Sequence, residues 1–269
     1  MIHTFWQLVT QQDSVQMILM FISIPFGLIV GSALNALMFR LKNGMNFMTG
    51  RSECVHCEKQ LSWFELIPLL SFLVLRGKCR SCRGIIPRDY FLVELFASVL
   101  FFYSTVIFST STEILFGWII VTFSVLIFVY DLKHMLIEDR VTVTLMIIIA
   151  LYNLIVMPSA FLTHLFTGFG IALFFIAQIL ATRGKGVGGG DIRLGFIIGL
   201  LLGYPFGVFA LLSAYIIALL WILPLLAVKK VTMKSKIPLG PFLVIGMLLF
   251  FFHQNIDMSV VFNWLMFGV

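Results

Sequence analysis

Residues 194–228 are almost wholly apolar, and a run of that length cannot be folded into a water-soluble domain. One bilayer crossing takes about 20 residues, so this stretch holds more than one. Its only turn signal is Tyr204-Pro205-Phe206-Gly207, which divides it into crossings at 192–203 and 205–228. Further apolar runs lie at 17–39, 91–109, 114–130, 140–157, 161–181 and 238–254. The expected fold is therefore an all-α polytopic membrane protein with about eight transmembrane helices. Composition agrees: 61% of residues are hydrophobic and 11% charged. The 192–203 segment spans only about 18 Å as a helix at 1.5 Å per residue. A helix so short needs a thinned bilayer or a recessed end, which draws Asp191 toward membrane depth.

The net charge of +6 could suggest a nucleic-acid partner, but in a membrane protein basic residues first report orientation. With the N-terminus outside, the inside loops are 40–90, 131–139, 182–191 and 229–237. These loops, with Arg140 and Arg193, contain all 18 Lys and Arg residues. The positive-inside rule then puts 40–90 in the cytoplasm and both termini outside. No nucleic-acid partner is expected, and the lipid bilayer is the first partner. Residues 1–16 lack Lys and Arg, and the first run is long enough to span, so no cleavable signal peptide is expected. Gly27, Gly31 and Asn35 share one face of the first span, and Gly195, Gly199 and Gly203 one face of a later one. Small residues so spaced read as helix-packing surfaces, and an Asn in lipid wants a partner.

The chain divides into a first transmembrane helix (1–39), a cytoplasmic segment (40–90) and a transmembrane bundle (91–269). All four cysteines lie in 40–90, as Cys54-x-x-Cys57 and Cys79-x-x-Cys82. Two such knuckles offer four thiolates to a tetrahedral ion, and a loop with little core of its own gains its fold from binding one. Structural zinc is the expected ligand. Two disulfides are disfavoured by a cytoplasmic location and four unrelated thiols by the paired spacing. His56, inside the first knuckle, is a poor ligand candidate. The apolar stretch 66–75 is too short to span and reads as a helix against the membrane or the bundle. The basic residues that follow it read as topogenic charge at anionic headgroups.

The acids Asp131, Glu138, Asp139 and Asp191 gather at the cytoplasmic face. Asp131 and Asp191 are separated by two antiparallel spans, which return the chain to the same side. Asp191 follows the glycine-rich run Gly184-Lys185-Gly186-Val187-Gly188-Gly189-Gly190, where backbone can approach closely. Two carboxylates brought together share a proton, so one can act as base on a water while the other protonates the departing group. A metal site using His134 and carboxylates is a weaker alternative, and simple neutralisation of Lys133, Arg140 and Arg193 is another. A transporter or proton relay with a zinc-bearing loop would also set acids among spans, but near mid-membrane and with inverted-repeat symmetry.

Taken in order, Gly31-Ser32-x-x-Asn35-x-x-x-x-Arg40, the two cysteine knuckles, Ile67-Pro68-Leu69-Leu70-Ser71, Tyr90-x-x-Val93-Glu94, Asp131-x7-Asp139 and Gly188-x-Gly190-Asp191-Ile192-Arg193 resemble the type IV prepilin peptidases. The resemblance implies an intramembrane aspartyl protease of the bacterial cytoplasmic membrane. Such an enzyme removes the short basic leader of prepilins and pseudopilins at the cytoplasmic face. It also implies N-methylation of the new terminus with S-adenosylmethionine, associated with the cysteine loop. By position, Asp131 and Asp191 become the catalytic pair, with Asp139, Gly188 and Gly190 supporting. Two departures stand out: Glu138 replaces the usual Pro, and Arg193 the frequent Lys. No dinucleotide-type glycine fingerprint marks a cofactor pocket; Glu94 and 40–90 are where one is sought.

The charge pattern makes a topological prediction. In a background without native cysteines, single cysteines near Thr112 and Gln254 should react with an impermeant thiol reagent in intact cells, and one near Lys234 should not. The opposite pattern would invert the bundle.

Overall fold

The computed structural model describes residues 14–45, 52–184, 186–232 and 235–253. The extreme N-terminal segment and the terminus beyond 253, both expected outside, lie outside the described residues. So do Lys234 and Gln254. Among the described residues the chain is helical, with no β-strand beyond two isolated bridges. Nine α-helices follow one another: α1 Ser14–Lys42, α2 Leu70–Val74, α3 Arg88–Ile107, α4 Ser111–His134, α5 Asp139–Val156, α6 Phe161–Thr182, α7 Gly189–Leu202, α8 Phe206–Ala227 and α9 Gly240–Phe252. Six of them, α1, α3, α4, α5, α6 and α8, are long and apolar enough to cross a membrane. The short α7 and α9 sit where the two remaining crossings were expected. The residues form two compact units, Met1–Val129 and Tyr130–Val269, with the boundary inside α4.

In the first unit α1 packs on α3, and the glycine stripe is what lets it. A Cβ on Gly27 would lie 2.6 Å from the Ser98 Cα, and one on Gly31 would lie 2.6 Å from the Glu94 Cα. The two backbones touch where any side chain would hold them apart. Asn35, the third residue of the stripe, donates to the Tyr90 carbonyl at 3.0 Å. Farther along, the Trp118 indole N–H reaches Thr105 Oγ1 at 3.1 Å, and its ring stacks on Phe101, joining α4 to α3. The apolar segment between the knuckles forms the one-turn α2 after a 3₁₀ turn at Trp63–Leu66. Leu70, Leu73 and Val74 are exposed on it, consistent with a segment that meets an apolar surface.

The second unit is built around α7, which touches α5, α6, α8 and α9. Its glycines carry the close approach: a Cβ on Gly199 would lie 2.5 Å from the Gly168 nitrogen of α6, and one on Gly195 would strike the Phe175 ring at 2.6 Å. Leu194, Ile197 and Ile198 on the same helix are fully buried. At 14 residues, α7 reaches about 21 Å, and its last residues, Leu200, Leu201 and Leu202, are buried. Terminal carbonyls in such a place must find donors inside the protein. The Leu200 carbonyl accepts from Asn153 at 2.6 Å and contacts His164 Nδ1 at 3.0 Å, and that of Gly199 accepts the Gly203 N–H. The short helix thus ends inside the protein, with its end satisfied by side chains of α5 and α6.

Helix boundaries depart from the apolar runs in two informative places. α4 continues through Asp131 to His134, where Lys133 and His134 complement the negative end of the helix. Asp131 is therefore held on a rigid turn and not in the following loop. α7 begins at Gly189, so Gly189 and Gly190 form its first turn and Asp191 lies inside the helix.

Candidate functional site

Asp191 occupies the third position of α7, where its carboxylate reaches back to accept the Gly188 N–H at 2.9 Å. This is one half of a capping box, and it uses a backbone donor that helix geometry leaves orphaned. Asp131 lies in the last turn of α4, and its carboxylate accepts a hydrogen bond from the backbone N–H of Gly240, the first residue of α9. The two side chains are buried, 5% and 8% exposed, and close enough for their charges to interact. Carboxylates in that situation cannot both ionise freely. The structure therefore brings together the two acids that lie farthest apart in sequence among the four candidates.

The supporting positions separate on inspection. Gly190 is sterically required, since a Cβ there would lie 2.8 Å from the Ile137 Cβ in the turn between α4 and α5. At Gly188 a Cβ would meet only Asp191 Oδ2 at 3.6 Å, an ordinary contact. Gly188 supplies its N–H, which any residue but proline offers. Asp139 is largely exposed and forms an ion pair with Arg193, two residues past Asp191. It thereby ties the start of α5 to the first turn of α7. Glu138, where a proline was expected, accepts from the Tyr130 hydroxyl at 3.1 Å, which gives its carboxylate a partner beside Asp131.

Two features of the site carry no signal in the sequence. Gly240 follows a loop and opens a short helix; a Cβ there would collide with the Asp131 carboxylate. Tyr215 of α8 donates to Gln178 Oε1 of α6 at 2.8 Å and lies within electrostatic range of Asp191. Both residues sit in apolar helices where single polar side chains give no pattern.

In the first unit the knuckles are two copies of one turn. Cys54 N–H donates to the Lys59 carbonyl and Cys79 N–H to that of Gly84, while Glu58 and Arg83, one past each second cysteine, donate back to Cys54 and Cys79. Both Glu58 and Arg83 adopt positive φ. The four sulfurs lie within 4.8 Å of one another, and Cys54 and Cys82 are 3.8 Å apart. Tetrahedral zinc with Zn–S of about 2.3 Å sets its sulfurs about 3.8 Å apart, so the tetrad fits such an ion. The Cys82 and Ser81 backbone N–H groups hold the Cys79 thiol down to about 6. At Cys82 the Gly84 N–H pulls downward, but desolvation and the three neighbouring thiols outweigh it and push that group up to about 11. Without a cation the cluster thus favours the Cys79 thiolate over that of Cys82; a divalent ion binds thiolates. His56 Nε2 contacts the Ile85 carbonyl at 3.1 Å, so this ring is engaged away from the sulfurs.

Fold and site define a multi-pass membrane protein whose helical bundle carries a buried carboxylate pair and whose first unit carries a cysteine tetrad. The chain belongs to the type IV leader peptidase family: residues 118–223 match the model described as that family, and residues 25–108 match the bacterial peptidase A24 N-terminal domain. The 25–108 match contains the four cysteines, and the 118–223 match contains Asp131, Asp139 and Asp191. Similar proteins named prepilin leader peptidase/N-methyltransferase occur in Bacillus subtilis, Vibrio cholerae and Legionella pneumophila. The B. subtilis protein is 30% identical over 230 residues, 86% of this chain and 92% of the relative. The V. cholerae protein is 32% identical over 248 residues, 84% and 93%, and the L. pneumophila protein 29% over 270 residues, 89% and 91%. No solved structure matches the chain.

The tetrad makes a direct prediction. Freshly purified protein should carry one metal ion per chain by elemental analysis. Replacing Cys54 and Cys57 together by Ser should release it and open residues 52–87 to protease, while the helices remain membrane-inserted. Metal-free protein with an equally resistant loop would leave the tetrad as four thiols.

Proposed function

We propose that the chain is a prepilin leader peptidase and N-methyltransferase of the bacterial cytoplasmic membrane, with Asp131 and Asp191 as its peptidase dyad. The observation that carries the reading is the burial of these two carboxylates together, each accepting a glycine N–H at a helix N-terminus. The substrates are prepilins or pseudopilins, whose apolar helix lies in lipid while the basic leader emerges on the cytoplasmic side. The division into residues 1–39, 40–90 and 91–269 as first helix, cysteine domain and peptidase bundle belongs to the same proposal. The proton-relay alternative has no support in the family.

In this mechanism a water lies between the carboxylates. The ionised one takes a proton from the water as its oxygen attacks the scissile carbonyl, and the protonated one donates to the departing nitrogen. No covalent enzyme intermediate forms. The Gly188 and Gly240 N–H groups hold the two oxygens in place, so the geometry needs little reorganisation. Asp139, through Arg193, orients the first turn of α7 and does not itself move the proton. Zinc is the metal proposed for Cys54, Cys57, Cys79 and Cys82, where it would stiffen the loop; S-adenosylmethionine, when bound, supplies the methyl group for the new N-terminus.

The test is leader removal from a prepilin by the purified chain in detergent. Asp131→Asn and Asp191→Asn should each abolish cleavage, and the double variant should be no worse, because the pair acts as a unit. Asp139→Asn should retain measurable activity. Gly240→Ala and Gly190→Ala should lower kcat/KM by about 100-fold, as expected for displaced catalytic groups, whereas Gly188→Ala should cleave nearly normally. Activity in Asp131→Asn together with none in Asp139→Asn would assign the dyad to the wrong acid.

A further inference from the structure

The first unit contains a cavity of about 280 Å³ bordered by α1, α3 and the cysteine domain. That is just under the usual size range of small-molecule sites, about 300–1,000 Å³. Aromatic and aliphatic side chains, Phe39, Phe72, Phe91 and Leu66 among them, make much of its wall. Three buried polar groups interrupt the wall, of which Glu65 takes the Ser62 N–H at 2.8 Å. Glu94, 9% exposed, takes the Leu69 N–H at 2.8 Å and the Ser32 hydroxyl. Asn35, 5% exposed, spends its amide N–H on the Tyr90 carbonyl, which leaves its Oδ1 buried with no hydrogen-bond partner.

A carboxylate and an orphan amide oxygen in an apolar chamber form a negative field that nothing described in that wall fully answers. The backbone reinforces the arrangement. Leu69, whose N–H is aimed at Glu94, has φ 57° and ψ −47°, a conformation leucine rarely adopts and one that persists where surrounding structure has a use for it. Of the two arginines on the rim, Arg80 is held over the Phe64 ring at 5.1 Å and Arg40 has a partner of its own.

We propose that this cavity is the binding site for the sulfonium methyl donor, with Glu94 and Asn35 Oδ1 facing its positive sulfur and attached methyl. This rests on the methyltransferase part of the reading above. A sulfonium centre brings positive charge that the Glu94 carboxylate and Asn35 Oδ1 answer, while the apolar wall takes its carbon substituents. Glu94 is a binding residue here, and Leu69 and Ser32 position it.

The test is equilibrium binding of S-adenosylmethionine and of the neutral thioether S-adenosylhomocysteine to the purified full chain. Wild type should prefer the sulfonium. Glu94→Gln, which preserves the shape and can still accept the Leu69 N–H, should weaken sulfonium binding by about 10- to 100-fold, the scale of one charged contact. Its affinity for the thioether should hold. Photolabelling of wild type with methyl-labelled S-adenosylmethionine gives a readout independent of any variant, and label should appear on peptides carrying residues 32–40 or 90–94. Label confined to the second unit, or equal sulfonium binding by Glu94→Gln, would overturn the site while leaving methyl transfer intact. A wild-type chain that binds neither compound and methylates nothing would remove both.

Discussion

Two carboxylates buried beside one another set the terms for the rest of the second unit. An isolated charge in an apolar interior is costly, and two like charges more so, unless donors face them and a proton is shared. The donors are supplied by backbone. Asp191 takes the N–H of Gly188 at the start of α7 and Asp131 that of Gly240 at the start of α9, so the positive ends of two helices converge on the pair. Close approach then dictates residue type. Glycine is needed at 240 because a Cβ would strike the Asp131 carboxylate, and at 190 because Ile137 fills the space.

The same logic explains the short helix at the centre of the bundle. α7 begins where it brings Asp191 to Asp131, and its 14 residues then end among buried side chains. A helix that stops inside an apolar layer leaves carbonyls without water. Asn153 and His164 supply the donors at Leu200, and Gly199 lets α6 lie against the helix backbone. The polar side chains within these spans are thus committed to closing one end of α7, while Asp191 lies in its first turn at the other.

Much of this was legible in the residues because the signals were local or periodic. Apolar runs of bilayer length marked the spans, paired cysteines marked the knuckles, and small residues four apart marked the packing faces of α1 and α7. Asp131 and Asp191 could be paired because two crossings return the chain to one face. What stayed hidden depends on contacts distant in sequence with no period to reveal them. Gly240 looks like any loop glycine until α9 brings its N–H to Asp131. Glu138 gave only an unexpected charge, and its Tyr130 partner emerges from the curl of the chain after α4. Asn35 announced that it wanted a partner, but not that one of its two polar ends would be left facing a cavity.

The central claim is that Asp131 and Asp191 share one proton and divide the roles of base and acid. The most direct test is the pH dependence of kcat/KM for leader removal by the wild-type chain, measured with and without a metal chelator. A shared-proton dyad gives a bell: activity falls on the acid side when the second carboxylate protonates and on the alkaline side when the shared proton is lost. Chelation leaves the shape of the bell unchanged. Activity that rises with pH and never turns over, or a profile whose limbs vanish with the chelated metal, would show that some other group activates the water.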